Sequence, residues 1–506
     1  MKLNYKKTVF VGFAFFLISA FWQAYDTIIP KILINRFGMN QSFSGVIMAL
    51  DNIFALFLLP FFGALSDKCK SRRGRRTPFI IVGTVIAAVA FMVLSFSENM
   101  QLTKIEAGVG DNTAAFETLY DADLEINSLS EGKIRLTERF TKDEFVAFAD
   151  ADPAGTEYAE FVTPARTAYA WKQTTSSPAT LVFFMCVLLV VLVSMSVFRS
   201  PAVALMPDVT IKPLRSKGNA VINLMGAAGG ILVLLLGMIL KTGSPANTYM
   251  SYVVFFACIS ALMLISLVIF LCTVNEPKLV REMQAESKRF GIDDGEDEDG
   301  SGDKKLSAAE KKSLYLILAS VVFWYMGYNA VTSKYSVYAG AVLGLDYNLT
   351  LMIATGSAIL TYLPVGIIAS KVGRKKTILA GVLILATAFF AAGFMRAGSS
   401  QLLVNALFAL AGVGWATINV NSFPMAVELA TGSNVGKYTG YYYTASMAAQ
   451  TITPVLSGLF LDIKMTYLFP YGTIFVLLSF FTMLGTKHGD SKPDANISLE
   501  ALDVGD

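Results

Sequence analysis

Two carboxylates and one guanidinium stand where the sequence is otherwise almost wholly apolar. Asp26 lies in the run from Thr8 to Leu33, Asp51 in the run 43–65 and Arg199 in the run 179–206. An ionised side chain at the centre of a bilayer costs at least about 2.5–3.5 kcal/mol on insertion scales. Such residues are kept for handling ions, protons or substrate, or as partners for one another. The context of Asp26 narrows the chemistry. It closes the string FWQAYD, in which Trp22 lies one helical turn before it on the same face. Some three hundred residues later the chain reads FWYMGYN, where Tyr325 and Asn329 stand in the same relation. A carboxylate or amide beside an aromatic ring is what a sugar needs, because its hydroxyls take hydrogen bonds and its C–H faces stack on rings. Trp22, Tyr25 and Asp26, with Trp324, Tyr325, Tyr328 and Asn329, are therefore candidate substrate contacts. Trp415 joins them, since tryptophan near mid-span departs from its usual place at the interfaces. The alternative for each ring is simple packing between helices. Asn223, Asn419 and Gln450 add amides within or near later runs.

Asp51 is the candidate proton carrier, because shelter from water favours the protonated form of a carboxyl group. Asp26 is the second candidate. Arg199 either tunes them or serves as their structural partner. The one histidine, His488, is near the C-terminus, so a histidine relay inside the membrane is excluded.

These residues need elements to position them. Of 506 residues, 54% are hydrophobic and only 16% charged, and the mean hydropathy is +0.55. Soluble domains carry about 25% charged residues. The class is an integral, multi-pass membrane protein in contact with lipid. A net charge of +3 gives no reason to expect nucleic acid. Cys186, Cys258 and Cys272 lie in apolar runs and Cys69 in a basic loop, with neither a disulfide framework nor metal-ligand spacing. No phosphate loop, nucleophile triad or metal motif appears, so no enzyme, cofactor or metal is expected. The opening MKLNYKK resembles a signal peptide, but the apolar run after it is long and lacks a convincing cleavage site, so it reads as the first span.

A span needs about 20 predominantly apolar residues. Twelve runs qualify: 8–30, 43–65, 78–97, 179–206, 217–240, 250–273, 313–333, 346–369, 377–396, 401–424, 438–461 and 466–485. The basic loops KCKSRRGRR, PDVTIKPLRSKG and SKVGRKK fall on one side if both termini are cytoplasmic. Residues 1–97 and 179–273 then form one six-helix half and 313–485 the other. Residues 98–178 are an acidic insert, read as a small extracellular domain. Residues 274–312 are read as a cytoplasmic linker, flexible around IDDGEDEDGSGDKK, and 486–506 as a cytoplasmic tail. The halves echo each other. FWQAYD matches FWYMGYN, GALSDKCKSRRGRR matches GIIASKVGRKK, and PDVTIKPLRSKGN loosely matches VELATGSNVGKYTG, all in the same order. Paired six-helix repeats belong to a transporter architecture with a substrate site near the midplane.

The run from Gly63 to Ile80, GALSDKCKSRRGRRTPFI, resembles the loop between the second and third helices of the major facilitator superfamily. Its SDxCxSRxGRRxPFI spacing is similar to the sucrose–proton symporters of plants and solute carrier family 45. More loosely, it is similar to the glycoside–pentoside–hexuronide:cation symporters. The resemblance implies an all-α fold of twelve transmembrane helices in two pseudo-symmetric halves, working as a monomer. It also implies a gating role for Gly63, Asp67, Arg72, Gly74, Arg75 and Arg76. Melibiose-type symporters carry paired acids low on the second helix, where this chain has Ala55 and Leu59, and an acid on the fourth, where Arg199 falls. That departure favours protons over sodium. The function expected is proton-coupled symport of a disaccharide or glycoside by alternating access. The alternatives are a proton-coupled exporter of drugs or metabolites, and a non-transporting sensor that uses the insert.

Overall fold

The computed structural model describes residues 3–128, 131–151, 155–211, 214–289, 307–429 and 435–490. The apolar runs form helices because only a helix satisfies its own backbone groups inside a hydrocarbon layer. They are α1 (Tyr5–Lys31), α2 (Gln41–Asp67) and α3 (Thr77–Val109). The insert follows, with α4 (Thr113–Asp121), β1 (Glu125–Ser128), β2 (Gly132–Arg135), α5 (Leu136–Arg139), α6 (Lys142–Ala151) and α7 (Thr163–Ser176). Then come α8 (Ala179–Val209), α9 (Arg215–Ile239), α10 (Val253–Thr273) and α11 (Glu276–Arg289). The chain closes with α12 (Ala308–Tyr338), α13 (Tyr347–Val372), α14 (Arg374–Ala392), α15 (Gln401–Val427), α16 (Val435–Ile463) and α17 (Leu468–Leu484). Among the described residues, ten helices are long and apolar enough to cross a membrane. Helices α13 and α16, of 26 and 29 residues, complete the expected twelve.

The chain divides into two compact units. Unit 1 holds residues 1–40, 50–294 and 339–348, and unit 2 holds 41–49, 295–338 and 349–506. Inside unit 1, α1 packs on α9 and α10, and α3 packs on α8 and α10. Inside unit 2, α12 packs on α16 and α17, and α14 packs on α15 and α17. The order of partners is the same in both, so the repeat read from short strings extends to whole helices.

Two expectations change. The third span does not stop near residue 97: α3 runs twelve residues further, to Val109. Hydropathy falls after Ser97, but no glycine or proline stands between there and Gly108 at the helix's end, and the insert covers the extension. The insert builds its own core from Phe116, Leu119, Ile126, Leu136, Phe145 and Val162. Strands β1 and β2 pair antiparallel with Ile126 opposite Ile134, which turns Ile126 inward. The second change is in the linker, whose first part is helical. Helix α11 turns Leu279 and Met283 toward Val11 and Met206, around a cavity of about 100 Å³, and Lys7 pairs with Glu282 at 2.5 Å. The acidic run IDDGEDEDGSGDKK lies outside the described residues.

Candidate functional site

In unit 1, α1 presents Trp22, Tyr25 and Asp26, α2 presents Asp51, and α8 presents Arg199. The Arg199 guanidinium sits over the Trp22 ring, 5.3 Å from its centroid. Asp26 is exposed, and it lies within electrostatic range of both Asp51 and Arg199. Asp51 is half-buried, and its carboxylate accepts a hydrogen bond from the Asn52 amide at 2.8 Å. The three charged groups therefore lie within electrostatic reach of one another. Tyr25, also expected to touch substrate, is fully enclosed, with its ring on Phe21 and edge-on to Trp22 at 5.3 Å, so it packs between helices rather than lining a cavity. The Trp22 indole N–H and the Tyr25 hydroxyl are buried without a hydrogen-bond partner. This group combines two acids, a cation and an aromatic face. It can hold and pass a proton, and it can offer acceptors and donors to hydroxyls. Asn223 is exposed on α9.

In unit 2, Tyr328 and Trp415 stack face to face, 3.7 Å apart and 2° from parallel. Tyr325 meets Trp415 edge-on at 5.2 Å. The Tyr442 hydroxyl lies 2.7 Å from the Ser422 hydroxyl. The Asn329 amide N–H₂ is buried without a partner. Asn419 and Gln450 are half-buried on α15 and α16. Trp324 departs from expectation. It is 0% exposed, so it is helix packing rather than a cavity wall. Sequence reasoning missed Ser422 on α15 and Tyr442 on α16, which belong to no motif.

The basic loop is a closed network inside unit 1. Gly63 brings α2 against α8, since a Cβ there would stand 2.8 Å from the Ser200 hydroxyl. Arg76 pairs with Asp67 at 2.5 Å and with Asp208 at 2.8 Å, and it donates to the Ser66 hydroxyl. Arg75 pairs with the same Asp208 at 2.8 Å. Arg72 is exposed. Glu276, at the start of α11, caps α3 from far along the chain. Its carboxylate accepts from the backbone N–H of Arg75 at 2.8 Å, Arg76 at 3.0 Å and Thr77 at 2.8 Å, and from the Thr77 hydroxyl at 2.7 Å. Gly74 makes this possible, with φ +103° and no side chain to strike Glu276. Unit 2 repeats the device. Gly373 also has φ +103°, Arg374 pairs with Glu428 at 2.8 Å, and Asp490 accepts from Lys375 N–H at 3.0 Å. Neither Asp208 nor Glu276 was singled out from sequence. The repeat held the signal, because an acid follows the matching helices in both halves.

Twelve membrane helices in two repeated six-helix sets, with charged groups gathered inside apolar spans, define a multi-pass membrane transporter rather than an enzyme. The chain belongs to the Major Facilitator Superfamily, whose family model matches residues 167–454 and 348–500. A second model, MFS/sugar transport protein, matches residues 10–111. Sucrose transport protein SUC3 of Arabidopsis thaliana is 39% identical over 67 residues, which is 13% of this chain and 11% of that protein. The chain thus matches about a ninth of the length of that relative. Among solved structures, the inward open xylose transporter XylE from E. coli superposes with a TM-score of 0.56 at 15% identity, covering 99% of this chain and 100% of that one. The nucleoside transporter NupG superposes with a TM-score of 0.54 at 11% identity, covering 95% and 99%. At these identities the likeness is one of fold.

Proposed function

We propose that this transporter is a proton-coupled sugar symporter that imports a disaccharide or related glycoside by alternating access. It acts as a monomer, with both termini cytoplasmic and residues 98–178 outside. The observation that carries the reading is the cluster of Asp26, Asp51 and Arg199 around Trp22. A proton is taken up on Asp51. Arg199 favours the ionised carboxylate when close, so any motion of α8 relative to α2 changes the proton's hold. In unit 1 the Asp26 carboxylate offers an acceptor to sugar hydroxyls, and in unit 2 the Trp415–Tyr328 stack offers an apolar face to sugar C–H groups. The short similarity to sucrose transport proteins supports a disaccharide. The loop Gly63, Asp67, Arg72, Gly74, Arg75 and Arg76 serves as the gating motif.

The test is uptake of labelled sucrose and a panel of glycosides into proteoliposomes, with and without an inward proton gradient. Gradient-driven accumulation is expected for the parent protein. Asp51→Asn should abolish accumulation while leaving exchange of sugar across the membrane. Normal accumulation by that variant would sink the coupling assignment.

A further inference from the structure

Each unit contains one segment cut off in sequence from its surroundings. Residues 41–49, the first part of α2, belong to unit 2 although the chain on either side belongs to unit 1. Residues 339–348, ending in the first two residues of α13, belong to unit 1 although their flanks belong to unit 2. A buried lysine stands against each of them, through a hydrogen bond to Gln41 in one case and over the Tyr347 ring in the other.

In unit 2, Lys334 of α12 is 0% exposed and donates from Nζ to the Gln41 carbonyl at 2.6 Å. Asp462, near the end of α16, completes the grip. It accepts from Gln41 N–H at 2.6 Å, from Ser42 N–H at 3.0 Å and from the Ser42 hydroxyl, and it lies within electrostatic range of Lys334. In unit 1, Lys31 of α1 is 4% exposed and donates to the Thr242 carbonyl, just past α9, at 2.7 Å. Its ammonium faces the Tyr347 ring at 5.4 Å. Asp346 lies within electrostatic range of Lys31 and accepts from Asn348 N–H at 2.8 Å, and the Asn348 amide donates to the Thr242 hydroxyl at 3.3 Å.

The two clusters occupy equivalent places in the repeat but exchange roles. The lysine's carbonyl acceptor is on the detached segment in unit 2, Gln41, and past the end of α9 in unit 1, Thr242, while the acid is on α16 in unit 2, Asp462, and on the detached segment in unit 1, Asp346. Lys31 stands five positions beyond Asp26, and Lys334 stands five positions beyond Asn329. Helices α9 and α16 are equivalent, and so are α13 and α2. A glycine lets the segment approach in each. A Cβ at Gly458 would lie 2.5 Å from the Gln41 carbonyl oxygen, and one at Gly237 would lie 2.4 Å from the Asn348 side-chain oxygen.

A buried ammonium left without acceptors is costly, so its bonds either persist together or are exchanged for water together. We infer that Lys31 and Lys334 are matched and independent pins, each setting how readily one detached segment opens from its unit. The inference does not depend on the identity of the transported solute.

Hydrogen–deuterium exchange of the full chain in detergent, read segment by segment, tests it, because exchange reports local opening. Lys334→Met should speed exchange within 41–49 at least fivefold and leave 339–348 at the parent rate. Lys31→Met should do the reverse. If Lys334→Met does not yield folded protein, Asp462→Asn should give the same selective rise in 41–49. Parent-like exchange in the segment concerned would overturn the proposal. So would a rise spread equally over both segments and the rest of the chain.

Discussion

Replacing Glu276 by alanine should loosen unit 1 by an amount the structure lets one work out. The carboxylate is 1% exposed and takes up three backbone N–H groups and one hydroxyl at the head of α3. The N–H of Arg75 can turn to water, since Arg75 is exposed. Arg76 and Thr77 are 5% and 3% exposed, so their N–H groups are left buried and unmet. A hydrogen bond to a charged group contributes about 1.5–3 kcal/mol net, so two such bonds give about 3–6 kcal/mol. The lost anion at a helix N-terminus adds up to about 2 kcal/mol. Overlap between these contributions leaves about 4 kcal/mol. At the low end of about 2 °C per kcal/mol for large domains, the midpoint of thermal unfolding should fall by about 8 °C. Glu276→Gln keeps one acceptor and turns an amide N–H₂ toward the same donors, so it should recover less than half of the loss. The assay is thermal unfolding of purified protein in detergent, followed by tryptophan fluorescence. A shift within 1 °C for Glu276→Ala would refute the reasoning, because it would mean that these donors find other partners at no cost.

Gly74→Ala should destabilise through the same contact. The residue has φ +103° and its Cβ would fall 2.2 Å from the Glu276 carboxyl carbon, so a loss of at least about 1–2 kcal/mol is expected in the same unfolding assay. Arg36 and Glu98 form an ion pair at 2.7 Å with both side chains 0% exposed. Breaking it from one side with Glu98→Gln should cost about 3–5 kcal/mol, whereas Arg36→Met with Glu98→Met should be close to neutral, a contrast that a double-mutant cycle measures directly. Trp415→Ala removes the face stacked on Tyr328, so the half-saturating sugar concentration in uptake should rise about tenfold, with an aromatic contribution of about 1 kcal/mol plus lost burial. An unchanged value would take Trp415 out of the proposed sugar contacts.

The helices were legible because hydrophobic runs in lipid have one solution. The repeat was legible in three short strings. The partners of those strings were not, because they lie far off in sequence. Arg75 and Arg76 announce a need for acids, yet nothing local says that Asp208 and Glu276 will supply them. Glu276 opens a segment that reads as a linker, and its helix shows only once α11 is seen packed beside Met206. Lys31 and Lys334 sit just beyond the strings that were compared. A side-chain amine reaches a carbonyl more than two hundred residues away in each case, and spacing cannot foretell that. Trp324 shows the opposite error. An aromatic ring at mid-span fits a cavity wall and a packed core equally well by sequence, and only its neighbours decide.

The length of α3 has a mechanical consequence. Its 33 residues make a rod of about 50 Å at about 1.5 Å each. The hydrocarbon layer is about 30 Å thick, so roughly 20 Å of rod stands clear of it. The insert is bolted to that end: Arg166 donates to the Gly110 carbonyl at 2.8 Å and pairs with Asp111 at 2.8 Å. Any tilt of α3 is therefore magnified at the insert like the tip of a needle on a dial. A fluorophore or an antibody fragment fixed to α6 would read the motion of a buried helix from outside the membrane's thickness.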